Sequence, residues 1–304
     1  MSSLSFVVNK KSKDKMLEEL GITEGDLQKC VAFMKHWCET QPHLPEIPSQ
    51  TKIEFCLMNN ELDIERTKAT FDLYYTLRTT MPQVYGRANP NTSIMQLSVQ
   101  DCQVVLLPKL LEDKYGVIIF KLQSQSHHEV DAYAWLNLVL NIYEVVMEEG
   151  VMLDTVLILD MTNLGMKHVF KITPKFVSDT FYLIEHLLND KIKVFHILNA
   201  PSIFQLILNL CKMIIKPEIY NKFKFHHSAQ SLGEYIPKDM LPNDYGGKYI
   251  SIDALQKLWI EKQKEYRYHF DKLDTLKVNE SLRPASSKKQ GNYNIFENFS
   301  KLFK

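Results

Sequence analysis

Residues 202–216, SIFQLILNLCKMIIK, are apolar on nearly every side of a helix, with strongly polar residues at Gln205, Asn209, Lys212 and Lys216. Spaced i, i+4, i+7 and i+11, these four form one narrow stripe. Such a segment makes a rod of about 22 Å, too short for a hydrocarbon core of about 30 Å. The segment 132–149 repeats the pattern, with its polar stripe at Asn137, Asn141, Glu144 and Glu148 and a helix-ending Gly150. A surface helix shows the opposite balance. Each of these two is therefore buried on both sides, or meets something apolar that is not protein.

The remaining pattern divides the chain into three expected parts, 1–90, 91–275 and 276–304. Residues 1–15 read as loose and polar. Thr23 and Asp26 have capping-box spacing, and Leu27, Cys30, Val31, Met34 and Trp37 then recur at helical spacing until Pro42, Pro45 and Pro48. Helices are expected over 51–59 and 63–79, the second with Ile64, Thr67, Phe71, Tyr74, Tyr75 and Arg78 on one face. Residues 87–96, RANPNTSIMQ, read as a linker. Beyond it, β-branched runs at 117–122, 155–159 and 194–198 predict strands, and 223–225 an edge strand. Thr173-Pro174 opens a helix that carries Phe176, Val177, Phe181, Ile184, Leu187 and Leu188. Strands alternating with helices predict an α/β fold with a parallel-rich sheet. One polar helix is expected over 251–276, docked by Ile252, Leu255, Leu258, Trp259, Tyr266 and Phe270. A polar tail from Ser281 ends in Ile295, Phe296, Phe299, Leu302 and Phe303 beside Lys301 and Lys304, a pattern that fits either packing on its own domain or contact with a membrane surface. The domain thus carries more apolar surface than a sheet and its helices need. Either a cavity for an apolar ligand absorbs it, or a second copy of the chain does.

Composition narrows the function. Of 304 residues 45% are apolar, and 36 basic residues balance 36 acidic ones, so no global field draws nucleic acid. Cys30, Cys38, Cys56, Cys102 and Cys211 are scattered without a CxxC pair, as reduced cytosolic thiols are. The first residues lack a secretory apolar core. Phosphate-cradling glycine loops, GxSxG and HExxH do not occur. The pairs His127-His128 and His226-His227 lack a third ligand at metal spacing. Asp160 and Asn199 follow strands, where α/β enzymes place catalytic groups, yet both also read as turn formers. Neither catalysis, a metal nor a cofactor is expected.

The segments 157–174 (LILDMTNLGMKHVFKITP), 191–217 (KIKVFHILNAPSIFQLILNLCKMIIKP) and 241–247 (LPNDYGG) resemble, in that order, the CRAL-TRIO domain, in the branch of α-tocopherol transfer protein and cellular retinaldehyde-binding protein. Residues 64–82 resemble the helical region that precedes it. The likeness runs from about 20 to about 275. It implies a CRAL-TRIO fold, in which helices and a parallel-rich sheet enclose a lipid cavity gated by one helix, here 202–216. Matched cavity positions are Leu136, Val139, Tyr143, Leu159, Ile172, Leu183, Ile184 and Phe195, with Phe204, Ile207 and Leu208 from the gate; Tyr143 could meet a ligand hydroxyl. The branch also implies phosphoinositide contact through Lys191, Lys193 and Lys222. A fourth family cation is Glu218 here, flanked by Lys216 and Lys224. The resemblance thus implies a monomeric cytoplasmic carrier of a hydrophobic small molecule, such as a tocopherol, retinoid or carotenoid, transiently at phosphoinositide-containing membranes. A lipid-sensing adaptor without transfer is the alternative.

Overall fold

Capping residues set the helix starts. In the computed structural model, which describes residues 10–123, 131–150, 154–188 and 191–284, α1 (Lys10–Leu20) is followed by α2 (Glu24–Glu39). There the Thr23 hydroxyl accepts from Asp26 N–H and the Asp26 carboxylate accepts from Thr23 N–H, a closed capping box. Ser49 caps α3 (Gln50–Asn59) and Asp63 caps α4 (Ile64–Thr80). Pro82 then opens the single turn α5 (Pro82–Tyr85). These form the expected N-terminal helical region.

The expected linker turns out to be structured. α6 (Ser93–Asp101) runs straight into β1 (Cys102–Leu106), which pairs antiparallel with β2 (Tyr115–Leu122). α7 (Ala132–Glu149) follows, capped by Asp131 and stopped by Gly150 at φ +68°. Next come β3 (Asp154–Asp160), the short α8 (Met166–Val169) and α9 (Pro174–His186), which Thr173 caps. β4 (Ile192–Leu198), α10 (Phe204–Ile214), α11 (Pro217–Tyr220) and β5 (Phe223–His226) complete the sheet. Among the described residues the sheet has five strands in the order β1-β2-β3-β4-β5, and all neighbours after β1/β2 are parallel.

The helix expected over 251–276 is two helices, α12 (Ile252–Glu265) and α13 (Arg267–Leu273), broken at Tyr266 (φ −93°, ψ 15°). α12 covers the outer strand β1. Trp259 Nε1 donates to Leu106 O at 2.9 Å, and Gln256 Oε1 accepts from Val104 N–H at 3.0 Å. Edge groups that would invite another strand are thereby occupied. The start of the expected tail crosses the helical region: Val278 N–H bonds Thr79 Oγ1 at 3.0 Å, and Arg283 Nη1 reaches Asp72 Oδ2 at 2.7 Å. The apolar tail end, residues 1–9 and the His127-His128 pair lie outside the described residues.

The polar stripe of α7 is buried and holds the two parts of the molecule together. Asn137 Nδ2 donates to Val84 O at 2.7 Å and Asn141 Nδ2 to Ala88 O at 2.8 Å. Glu144 pairs with Arg78 and accepts from Tyr74 OH at 2.8 Å; Glu148 pairs with Lys52 at 2.9 Å. Asn137 is 1% and Glu144 6% exposed, and each keeps at least one partner, which offsets the cost of burying it. The opposite, apolar side of α7 looks into the sheet domain.

Candidate apolar cavity and its closing helix

One face of the sheet is apolar over most of its area. Strand register places Phe120 beside Leu159, Leu159 beside Ile197, Leu157 beside Phe195, and Phe195 beside Phe223. Because side chains alternate along a strand, these share a face. α7, α9 and α10 stand over it, and a cavity of about 220 Å³ remains between. The rings of Phe195 and Phe223 meet edge to face at 4.9 Å, with Phe181 of α9 at 6.4 Å from Phe195.

Ten of the eleven positions expected at the cavity line it. Leu136, Val139 and Tyr143 come from α7, and Leu183 and Ile184 from α9. Leu159 and Phe195 rise from the sheet, Ile172 precedes α9, and Phe204 and Ile207 descend from α10. Leu208 does not line it. The buried row of α10 is Phe204, Ile207 and Cys211, and Leu208, one residue on from Ile207, is rotated about 100° off that row. Cys211 was not foreseen as a wall residue; burial pushes its thiol up to about 11, so it serves as a small apolar side chain. The Tyr143 OH donates to Thr155 Oγ1 at 2.8 Å, which leaves its oxygen to a ligand hydroxyl only as an acceptor.

α10 has two apolar sides and uses one. Leu206 is 54% and Met213 74% exposed. Its first turn has no side-chain cap, unlike α7 and α9. Phe170, between α8 and α9, is also largely exposed. Among the described residues no helix is long and apolar enough to cross a membrane.

Most of the expected membrane lysines are engaged by carboxylates or rings. Lys191 lies 3.7 Å from Asp154, and Lys193 lies 3.7 Å from Glu112 and over the ring of Tyr115. Lys216, just past α10, pairs with Glu185 of α9. Lys222 precedes β5, where its carbonyl accepts from Phe195 N–H at 2.9 Å. The sheet thus brings Lys191, Lys193 and Lys222 to the starts of β4 and β5. Lys224 is in register with His196 on the sheet face opposite the cavity, and its ammonium lies 4.6 Å from the Tyr235 ring centroid.

Both candidate catalytic positions hold turns. Asp160 accepts from Thr162 N–H at 3.1 Å and from Tyr245 OH at 3.0 Å, tying the 241–247 segment to β3. Asn199, at φ 51°, donates to Thr162 Oγ1 at 3.0 Å. His226 Nε2 lies 2.7 Å from His196 Nδ1, and its own Nδ1 lies 2.7 Å from Ser231 Oγ. The Ser231 hydroxyl donates to Ser228 O, so Nδ1 of His226 is a donor and Nε2 an acceptor. Each ring is then neutral with a fixed tautomer. Burial, then the neighbouring His226 and Lys224, lowers His196 to about 4. Among the described residues no group of three His, Cys, Asp or Glu is placed to hold a metal.

Helices and a parallel-rich sheet closed over an apolar cavity by a helix with a second, exposed apolar side define a class of small-molecule-enclosing α/β domains. The family model described as "CRAL/TRIO domain" matches residues 105–247, so the chain carries a CRAL-TRIO domain over those residues. A second model, described as "Pinta-like, UBA domain", matches residues 23–95, the helical region docked on α7. The chain is similar to "Alpha-tocopherol transfer protein-like" of Mus musculus, 38% identical over 65 residues, and of Homo sapiens, 37% identical over 65 residues. Each match spans 21% of this chain and 19% of the relative. The solved structure titled "Crystal structure of Sfh5" is similar with a TM-score of 0.47 at 11% identity, covering 82% of this chain and 92% of that one.

Proposed function

We propose that this protein binds a hydrophobic small molecule, such as a tocopherol, retinoid or carotenoid, and carries it between membranes. The observation that carries the reading is the cavity itself, walled by apolar side chains and closed by the buried row Phe204, Ile207 and Cys211. Each buried methylene contributes about 0.8 kcal/mol, so a lipid-sized ligand leaves the protein through water only slowly. A bilayer removes that barrier if it meets the closing helix. Leu206 and Met213 are the residues that touch acyl chains first, and outward movement of α10 then opens Phe204 and Ile207 to the same medium. Lys191, Lys193 and Lys222, aided by Lys216, would bring this region to phosphoinositide headgroups, each cation that exchanges its carboxylate for the membrane adding at most on the order of 1 kcal/mol, while Lys224, expected to help them, stands on the other sheet face. No covalent step is required. The location that follows is cytoplasmic, with transient peripheral contact.

The test is transfer of retinol from neutral donor vesicles to acceptors with and without phosphatidylinositol bisphosphate. Transfer accelerates with protein, more so to the phosphoinositide acceptors, and the Leu206→Asp/Met213→Asp variant keeps retinol binding while losing the acceleration. A protein that binds retinol but leaves the transfer rate unchanged is a sensor, and the carrier reading then fails.

A further inference from the structure

The cavity wall contains two polar groups that the protein leaves unsatisfied. Trp135, on the first turn of α7, lines the cavity and is 5% exposed, and its indole Nε1–H has no acceptor among the described residues. Thr180, in the middle of α9, also lines the cavity, and its Oγ1 is buried without a partner. A helical threonine usually donates to the carbonyl four residues back; Thr180 does not. Nor does the aromatic surrounding of Trp135 offer an acceptor. Phe120 meets it edge-on at 6.2 Å. His168 lies 5.7 Å away, but its Nδ1 already accepts from Gly165 N–H, so the other nitrogen of the neutral ring carries a hydrogen.

The two groups stand on helices that meet near their beginnings. Tyr133 of α7 meets Phe176 of α9 edge to face at 5.3 Å and donates to Asp179 Oδ2 at 2.8 Å. The opening turns of the two helices are therefore side by side. Trp135 and Thr180 sit within about one turn of that contact. Further along the two helices the wall carries Leu140, Leu188 and Ile192 beside Tyr143.

Resting on the carrier reading, we infer that Trp135 and Thr180 form a polar anchor for one oxygen of an otherwise apolar ligand. The ligand class is a lipid with a terminal carbonyl or hydroxyl, as opposed to a pure hydrocarbon. The indole can only donate, so the ligand atom must accept; the threonine hydroxyl both donates and accepts. A carbonyl oxygen takes hydrogen bonds from both side chains. A hydroxyl oxygen takes one from Trp135 and gives one to Thr180. A hydrocarbon in the same place leaves both groups buried and unpaired, and it is this difference that discriminates. The anchor also orients the cargo, oxygen toward the starts of α7 and α9 and hydrocarbon toward Leu188 and Ile192.

The test compares ligands that differ by the oxygen alone: all-trans-retinol, all-trans-retinal and the hydrocarbon axerophthene, each titrated into the full chain. Wild-type protein binds the two oxygenated probes roughly tenfold or more tighter than the hydrocarbon. Trp135→Phe and the isosteric Thr180→Val each shrink that ratio severalfold by weakening oxygenated binding, with hydrocarbon affinity unchanged. Retinal stronger than retinol identifies a carbonyl as the preferred source of the oxygen, and the reverse a hydroxyl. Equal binding of all three by wild-type protein, or a ratio that survives in both variants, overturns the anchor and leaves the carrier reading standing. Binding of none of the three overturns both.

Discussion

Replacing Glu144 by Gln tests how the helical region is held to the cavity domain. The carboxylate is 6% exposed. It faces the Arg78 guanidinium, the Tyr74 hydroxyl at 2.8 Å and the Lys52 ammonium at 3.8 Å. Glutamine keeps the size and one acceptor but removes the charge. Lys52 retains Glu148 at 2.9 Å, whereas Arg78, 4% exposed, loses its carboxylate. Breaking a buried pair on one side costs about 3–5 kcal/mol, which for a chain of this size lowers the melting temperature on the order of 10 °C. Burial raises the Glu144 carboxyl, but Arg78 and Lys52 together outweigh it and hold the group well below the usual carboxylate range. A carboxyl depressed in the folded state stabilises above its unfolded pKa of about 4.3 and loses that contribution as pH falls further, by about 1.4 kcal/mol per pH unit. Urea unfolding followed by tryptophan fluorescence at pH 7 and pH 3 therefore shows a gap between wild type and Glu144→Gln that narrows in acid. The double variant Arg78→Met/Glu144→Leu recovers much of the loss. A deficit under about 1 kcal/mol at pH 7, or a gap that does not narrow by pH 3, refutes the reasoning.

Filling the cavity is the second perturbation: Val139→Trp abolishes retinol binding, and its melting temperature stays near that of wild type because the added ring occupies existing space. In the third, Glu185→Gln removes the carboxylate that Lys216 pairs with at the end of α10. Retinol transfer to phosphoinositide vesicles should speed up severalfold and transfer to neutral vesicles should not change, while stability, read by urea unfolding, shifts by less than about 1 kcal/mol as for an exposed pair. The last concerns His196. Its pKa is lowered to about 4 in the fold, so its neutral form contributes stability above the unfolded value near 6.5, and that contribution is lost as pH falls toward 4. His196→Gln flattens the stability profile over that window; an unchanged acid slope in the variant would count against the histidine.

The three helices around the cavity were legible because each has a pattern that depends only on its own residues. The apolar excess of α7 and α10 pointed to a cavity, and ten of the positions named from the family resemblance border the one in the structure. Leu208 fell outside because one residue of helix turns a side chain through about 100°. β1 was missed for a different reason: it follows α6 with no glycine or proline between them. The break at Tyr266 also lacks both residues, so α12 and α13 read as one helix. The polar stripe of α7 was visible as a stripe, but its purpose depends on where Lys52, Tyr74 and Arg78 arrive, which local pattern does not encode. Trp135 and Thr180 gave no signal at all, since an unpaired donor is defined by what every other segment fails to supply.

Because α7 is clamped along its outer side by Lys52, Arg78 and the carbonyls of Val84 and Ala88, that wall cannot retreat to admit a bulkier guest without separating buried charges. Opposite it, α10 is backed by no comparable brace among the described residues, and its outward side chains Leu206 and Met213 are exposed there. The chamber is therefore stiff on one flank and compliant on the other, so guests of different girth are accommodated by the same small rise of a single helix, and the largest leave it standing furthest proud of the surface.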